Sequence, residues 1–100
     1  MFARVSTYTG TSDEIDEAIR QVRENTVAKL KQLEGYKGAY FLVDRQNGKS
    51  LAVTHWESEE AMSTGEEAAN SLRSEVADAL GTQMVGLEHY EVAVSAQEGG

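Results

Sequence analysis

The dipeptide Asn47-Gly48, which stands between two runs of β-forming residues, constrains the fold of this 100-residue chain more than any other feature. Both central residues of a type I′ turn need positive φ, and Asn-Gly tolerates that conformation well, so the pair predicts a two-residue hairpin loop. The register that follows pairs residues across the hairpin at every second position: Val43 with Ala52, Phe41 with Thr54, and Ala39 with Trp56. Two adjacent antiparallel strands are therefore expected, from Gly35 to Asp44 and from Leu51 to Trp56.

Apolar side chains occupy both faces of this predicted hairpin. One face carries Ala39, Phe41, Val43, Ala52, Thr54 and Trp56, and the other carries Tyr40, Leu42, Leu51, Val53 and His55. An antiparallel sheet with one face in water alternates apolar and polar residues, and this hairpin does not. Both faces are therefore expected to be covered.

A strand and a long amphipathic helix are predicted before the hairpin. Residues Phe2 to Tyr8 are rich in β-branched and aromatic types, which is typical of a strand. Thr11 and Glu14 fit a capping box, in which each side chain accepts a hydrogen bond from the other residue's backbone N–H. The helix is expected from about Ser12 to Leu33, since Gly35 stands where a helix needs a left-handed residue after its end.

A second helix and a fourth strand are predicted after the hairpin. Ser58 is a suitable N-cap, and the acidic residues beside it favour the positive end of the helix dipole. Gly65 interrupts the apolar stripe, so the helix is expected to stop and restart there before it ends at Gly81. Met84 to Val94 is predicted as the fourth strand, and residues 95–100 as a frayed polar tail.

The order of these elements predicts one α+β domain over residues 1–94, with ferredoxin-like βαββαβ architecture. Right-handed crossovers place both helices on one face of a four-stranded antiparallel sheet. The opposite face is left bare although it is apolar, and the economical cover for it is a second copy of the chain. A homodimer built through that sheet face is therefore expected.

Composition excludes several classes of function. The net charge of −8 opposes binding to phosphate backbones and anionic membranes, so neither nucleic acid nor a membrane is expected as a partner. The chain has no cysteine, no apolar run long enough to span a bilayer and no signal-peptide pattern at its start, which favours a soluble cytoplasmic protein. No cluster of histidines and carboxylates has metal-ligand spacing, so no metal is expected.

Three segments carry a resemblance to a known family: Gly35-Tyr36-Lys37-Gly38-Ala39-Tyr40, Asp44-Arg45, and His55-Trp56-Glu57-Ser58-Glu59-Glu60-Ala61. The chain resembles the antibiotic-biosynthesis-monooxygenase (ABM) domains of the dimeric α+β barrel superfamily, and the element order matches over Phe2 to Val94. The resemblance implies a homodimer whose two sheets form a barrel, with a pocket in each subunit between sheet and helices. It also implies oxidation of a small aromatic or enolisable compound without metal or flavin, and hence no cofactor.

The sequence departs from two branches of that superfamily at their reactive positions. The oxygenases of polyketide-like phenols are similar in having an Asn four residues before the Trp and a Tyr early in the second helix, where this chain has Ala52 and Met62. The haem-degrading members are similar in using a His about ten residues after the Trp as iron ligand, where this chain has Glu66. Of these reactive residues only Trp56 is retained.

Three residue types are candidates for chemistry. Trp56, the sole tryptophan, is expected either to stack on a flat aromatic substrate or to fill the core at the strand end. Histidine is the side chain that titrates near neutral pH, so His55 and His89 are the candidate general bases, with a packed or surface role as the alternative for each. On the predicted register His55 faces away from Trp56, towards the dimer interface.

Arg4 lies on one face of the first strand, which is central in this fold. A buried arginine needs a carboxylate partner or a bound anion, so Arg4 is a candidate for an anionic substrate group. The alternative is an ion pair with Glu88 or Glu91.

The leading hypothesis is a cofactor-independent monooxygenase with its pocket between the sheet and the second helix. The expected substrate-binding residues are Trp56, Phe41, Met62, Asn70 and Arg4. His89 or His55 would remove a proton, and the resulting electron-rich anion would react with oxygen behind hydrophobic walls. The alternative is a non-catalytic homodimer that binds a small molecule or has a stress-related or structural role.

Overall fold

The computed structural model describes residues 1–67, 71 and 83–96, and it confirms the four-stranded antiparallel sheet of a ferredoxin-like α+β fold. The strands are β1 (Phe2–Thr9), β2 (Tyr36–Asp44), β3 (Lys49–Trp56) and β4 (Gln83–Glu91), in the sheet order β2-β3-β1-β4. β4 is shorter than predicted, because residues 92–96 have no regular secondary structure. The predicted helix end at Gly81 and the end of the polar tail lie outside the described residues.

The first helix begins on the signal that predicted it and ends earlier than predicted. Thr11 Oγ1 accepts from the N–H of Glu14 at 3.2 Å, and Glu14 Oε1 accepts from the N–H of Thr11 at 2.7 Å, which confirms the capping box. Gly35 takes the left-handed conformation, with φ of 80°. The regular helix stops at Leu30, three residues before the predicted end, and Leu33 lies in the irregular segment that leads to Gly35.

A π-helical turn divides the first helix. The three consecutive pieces are α1 (Ser12–Gln21), the π turn (Val22–Thr26) and α2 (Val27–Leu30). Apolar residues on an α-helix recur every three or four positions, whereas Val22 and Val27 are five apart. The wider π turn accommodates the extra residue, so Ile15 before it and Leu30 after it are both buried.

The hairpin loop has four residues, 45–48, and the two-residue loop predicted from the sequence is wrong. Asp44 builds the turn: Oδ1 accepts from the N–H of Gln46 at 3.2 Å and Oδ2 accepts from Asn47 Nδ2 at 2.7 Å. The bond from the Asn47 amide lowers the pKa of Asp44. Gly48 has φ of 63°, whereas Asn47 does not take positive φ and therefore cannot form a type I′ turn with it.

The longer loop shifts the pairing of β2 with β3 by two residues, and each side chain still points to its predicted face of the sheet. Phe41 lies opposite Ala52, and Ala39 lies opposite Thr54 where Trp56 was predicted. Successive side chains of a strand point to opposite faces, so a shift of two leaves each side chain on its predicted face. The division of the hairpin into two apolar faces is therefore confirmed.

The second helix, α3, covers residues 59–67 and packs on the face that carries Trp56. Ser58 Oγ accepts from the N–H of Ala61 at 3.0 Å, which confirms the predicted cap. The helix continues through Gly65 without interruption, so the predicted stop at that residue is wrong. A Cβ atom at Gly65 would lie 2.9 Å from Cη2 and Cζ3 of Trp56, which shows that the glycine is there to let the indole approach.

The strand pairing defines rows of residues across each face of the sheet. The face beneath α3 carries the rows Tyr36–Trp56–Phe2–Glu91, Ala39–Thr54–Arg4–His89 and Phe41–Ala52–Ser6–Leu87. The other face, here called the open face, carries the rows Gly38–His55–Ala3–Tyr90, Tyr40–Val53–Val5–Glu88 and Leu42–Leu51–Thr7–Gly86. The candidate residues of the sheet are thus divided between two surfaces that do not meet.

Candidate functional site

Arg4 lies at the centre of the face beneath α3 and is almost fully buried, with 1% of its surface exposed. Its Nη2 donates to the backbone carbonyl of Met62 in α3 at 2.6 Å, and its guanidinium carbon lies 5.5 Å from the ring centroid of Trp56. A guanidinium over an indole face is attracted by the ring quadrupole, so Arg4 is held against Trp56 of β3. Its hydrogen bond to Met62 also joins β1 to the helix above it.

Trp56 is enclosed on every side, with no exposed surface. Its indole Nε1–H donates to Thr54 Oγ1 at 3.0 Å, and Gly65 of α3 lies against the outer edge of the ring. Tyr36 meets the indole edge to face, with ring centroids 5.9 Å apart, and burial raises the pKa of its phenol. In this structure Trp56 fills the core, which matches the second of its two expected roles.

His89 lies opposite Arg4 across β1 and β4, on the face beneath α3. Its Nε2 is 3.4 Å from Oε1 of Glu66, so α3 brings a carboxylate to this histidine. Sequence reasoning did not single out Glu66 as a partner of His89. The available signal was its spacing, because Glu66 follows the buried Met62 by four residues and so shares its side of the helix.

His55 lies on the open face, as the sequence predicted, and does not meet Trp56. Its ring contacts Tyr40 edge to face, with centroids 5.7 Å apart. The two candidate bases are therefore on opposite sides of the sheet, and only His89 shares a face with Arg4 and Trp56.

The remaining predicted site residues are only partly brought together. Met62 is buried beside Arg4, and Phe41 lies on the same sheet face one row from Thr54, whereas Asn70 lies outside the described residues. Of the two carboxylates suggested for Arg4, Glu88 lies on the open face, where it accepts a hydrogen bond from Tyr90 Oη at 2.6 Å. That bond raises the pKa of Tyr90. Glu88 cannot pair with Arg4, because the two side chains lie on opposite faces of the sheet.

The described part of the chain contains neither a metal-binding cluster nor a membrane-spanning helix. No group of three or more histidines and carboxylates among residues 1–67, 71 and 83–96 is placed to hold a metal ion. Within the same residues, no helix combines the length and the apolar character that a membrane crossing requires.

Sequence comparison places the chain among relatives of unassigned role. Residues 1–65 match the family model described as antibiotic biosynthesis monooxygenase. The uncharacterised protein Rv2557 of Mycobacterium tuberculosis is 33% identical over 93 residues, which make up 93% of this chain and 41% of that protein. The chain thus spans less than half the length of the curated relatives that it matches.

Solved structures share the fold at low sequence identity. A proposed antibiotic biosynthesis monooxygenase of Deinococcus radiodurans superposes over 100% of both chains with a TM-score of 0.74 and 18% identity. SnoaB, a cofactor-independent oxygenase of Streptomyces nogalater, superposes over 97% of both chains with a TM-score of 0.69 and 15% identity. A dimeric ferredoxin-like protein from an uncultured marine organism covers 98% of this chain and 100% of its own, with a TM-score of 0.69 and 13% identity.

Proposed function

The chain belongs to the antibiotic biosynthesis monooxygenase family, and from that premise we propose that it is a cofactor-independent monooxygenase of a small aromatic or enolisable compound. The observation that carries the proposal is the juxtaposition of Arg4 and His89 in one row of the sheet beneath α3, beside the indole of Trp56. A base next to a buried cation is the arrangement that stabilises a substrate anion.

The reaction begins with removal of a proton from an acidic C–H or phenolic O–H of the substrate by the imidazole of His89. Arg4, which lies opposite His89 on the same face, favours the resulting anion by its positive charge. The anion gives one electron to O₂, and the substrate radical and superoxide combine to a peroxide anion. That anion takes back the proton held by His89 and becomes a hydroperoxide. Loss of water from that group leaves a carbonyl, so a CH₂ group and O₂ become C=O and H₂O.

Binding and turnover are tested separately. Anthrone-like phenols and quinones are titrated while the emission of Trp56 is followed, and oxygen uptake is then measured for each compound that binds. Trp56 is the sole tryptophan and is fully enclosed, so a ligand that reaches it must displace the residues packed on it and change its emission.

Matched histidine changes identify the base. His89→Ala is expected to lower kcat/KM for oxygen uptake by about 10²–10⁴, the usual contribution of a general base. His55→Ala removes the other histidine from the open face and is expected to retain turnover, since the sheet separates it from Trp56.

The alternative is a family member that binds a small molecule without catalysis, and the enclosed Trp56 is the observation that favours it. Binding without oxygen uptake, unchanged by either histidine substitution, would establish that alternative. If none of the compounds bound, a structural role would remain.

We further propose that the open face is covered by a second copy of the chain. Tyr40 and Leu42 are 52% and 49% exposed on that face. Their row neighbours Val53, Val5 and Leu51 are also apolar and only half-buried, so these side chains form one continuous apolar surface. A contiguous apolar face of this kind marks an interaction site, and a two-fold axis lets one surface cover itself.

Light scattering at micromolar concentration is expected to give the mass of a dimer, and a monomeric mass would contradict the proposal. Val53→Lys, at the centre of the face, should convert the dimer to monomer.

A further inference from the structure

The carboxylate of Glu66 lies at the rim of the candidate site, where α3 passes over β4. Its Oε1 is 3.4 Å from Nε2 of His89, and the two side chains are 32% and 42% exposed. On the face of the sheet that carries His89, the charged residues of the adjoining strands are Arg4 on β1 and Glu91 two residues along β4. Among the described residues, Glu66 is the one whose charged atom is within ion-pair distance of the imidazole.

The chemistry of this pair favours one position of the proton on the ring. An ionised carboxylate only accepts hydrogen bonds, so it stabilises the tautomer in which Nε2, the nitrogen that faces it at 3.4 Å, carries the hydrogen. A neutral imidazole has one N–H and one lone pair, and the lone pair then lies on Nδ1. Catalytic bases are commonly held in this way by a third group that selects the tautomer and the ring orientation.

We infer that Glu66 is the positioning residue of the site: it holds His89 in the Nε2–H tautomer and so presents Nδ1 as the proton acceptor. The catalytic consequence of this inference rests on the proposed function, whereas the tautomer itself does not. The haem-degrading members of the superfamily are similar in having an iron-ligating histidine at this position of the sequence. In this chain the position is Glu66, and its carboxylate faces His89.

The tautomer is measured directly by nitrogen-15 NMR of the imidazole rings, at a pH where both histidines are neutral. His89 is expected to be almost entirely Nε2–H in the parent protein. Glu66→Ala should produce a measurable Nδ1–H fraction, and Glu66→Gln, which keeps an acceptor oxygen, should restore the parent pattern. Glu67→Gln makes the same charge change at the next, exposed position of α3 and should leave the His89 signals unchanged. His55, on the open face, is an internal reference in the same spectra.

Kinetics add the readout that a merely structural role would not give. With a compound that is turned over, Glu66→Ala is expected to lower kcat about tenfold and to leave KM unchanged, because positioning supplies only a part of the rate enhancement of the base. Glu66→Gln is expected to recover the parent kcat.

The two proposals fail in different ways. An unchanged tautomer ratio in Glu66→Ala would overturn the positioning role, whether or not the parent oxidises a substrate. A ratio that responds to Glu66 while no compound is oxidised would support the positioning role and remove the monooxygenase proposal.

Discussion

A methyl group added at Gly65 would collide with the indole of Trp56 and destabilise the fold. The new Cβ would lie 2.9 Å from two ring carbons, whereas carbon atoms in contact are normally about 3.5–4.0 Å apart. The ring has no room to retreat, because Trp56 is fully buried and its Nε1–H is bonded to Thr54. Overpacking of this kind costs about 1–3 kcal/mol, and alanine regains about 1 kcal/mol of helix propensity. Gly65→Ala is therefore expected to lower the free energy of unfolding by about 1 kcal/mol, or the melting temperature by about 4–8 °C.

A double-mutant cycle separates the collision from any other effect of the methyl group. Trp56→Phe removes the outer ring atoms, so Gly65→Ala in that background should raise the free energy of unfolding by about 1 kcal/mol. Urea unfolding is followed by circular dichroism at one protomer concentration, since a dimer's stability depends on concentration. An equal change in both backgrounds would refute the proposed contact between Gly65 and the indole.

Three other substitutions test the turn, the indole hydrogen bond and the helix cap. Gly48→Ala combines φ of 63° with a Cβ placed 2.4 Å from the carbonyl oxygen of Gly10, so urea unfolding should show a loss above about 2 kcal/mol. Thr54→Val leaves the buried Nε1–H of the indole without its acceptor and should lower the free energy of unfolding by about 1–3 kcal/mol, with no such loss after Trp56→Phe. Hydrogen bonds from Thr11 lower the pKa of Glu14, so its stabilisation is complete above the ordinary glutamate range and is lost as the pH falls through the lowered pKa. The advantage of the parent over Glu14→Gln should accordingly shrink between neutral pH and about pH 3, and an advantage that persists at acid pH would contradict this account.

Local signals predicted the helix caps, where the relevant interaction lies within a few residues of sequence. The Thr11–Glu14 capping box, the Ser58 cap and the left-handed Gly35 were all confirmed, because each depends on backbone groups nearby in the chain. The hairpin loop was wrong because a carboxylate competed for the turn: Asp44 organises a four-residue loop in place of the type I′ turn that Asn47 would have begun.

The errors at the candidate site come from contacts between residues distant in sequence. Gly65 was predicted to interrupt the helix because it breaks the apolar stripe, but its role is steric and depends on Trp56 of another element. The partner of His89 was missed for the same reason, since Glu66 reaches it only when α3 packs across β4. A helical period shows which side of α3 Glu66 occupies, but the strand that it meets is determined by tertiary packing.

The face of the sheet on which a histidine lies depends on whether its strand shifts by an even or an odd number of residues. The loop error moved the hairpin by two residues, an even number, so His55 remained on the open face beside Tyr40. A shift of one would have exchanged the faces and placed His55 beneath α3. His89 reached the other face through a separate pairing, that of β4 with β1, which puts it opposite Arg4. A general base works best when a neighbouring group holds it, and the pairing of β4 with β1 places His89 where Glu66 of α3 is 3.4 Å from its Nε2, while in the proposed dimer His55 would face a second sheet.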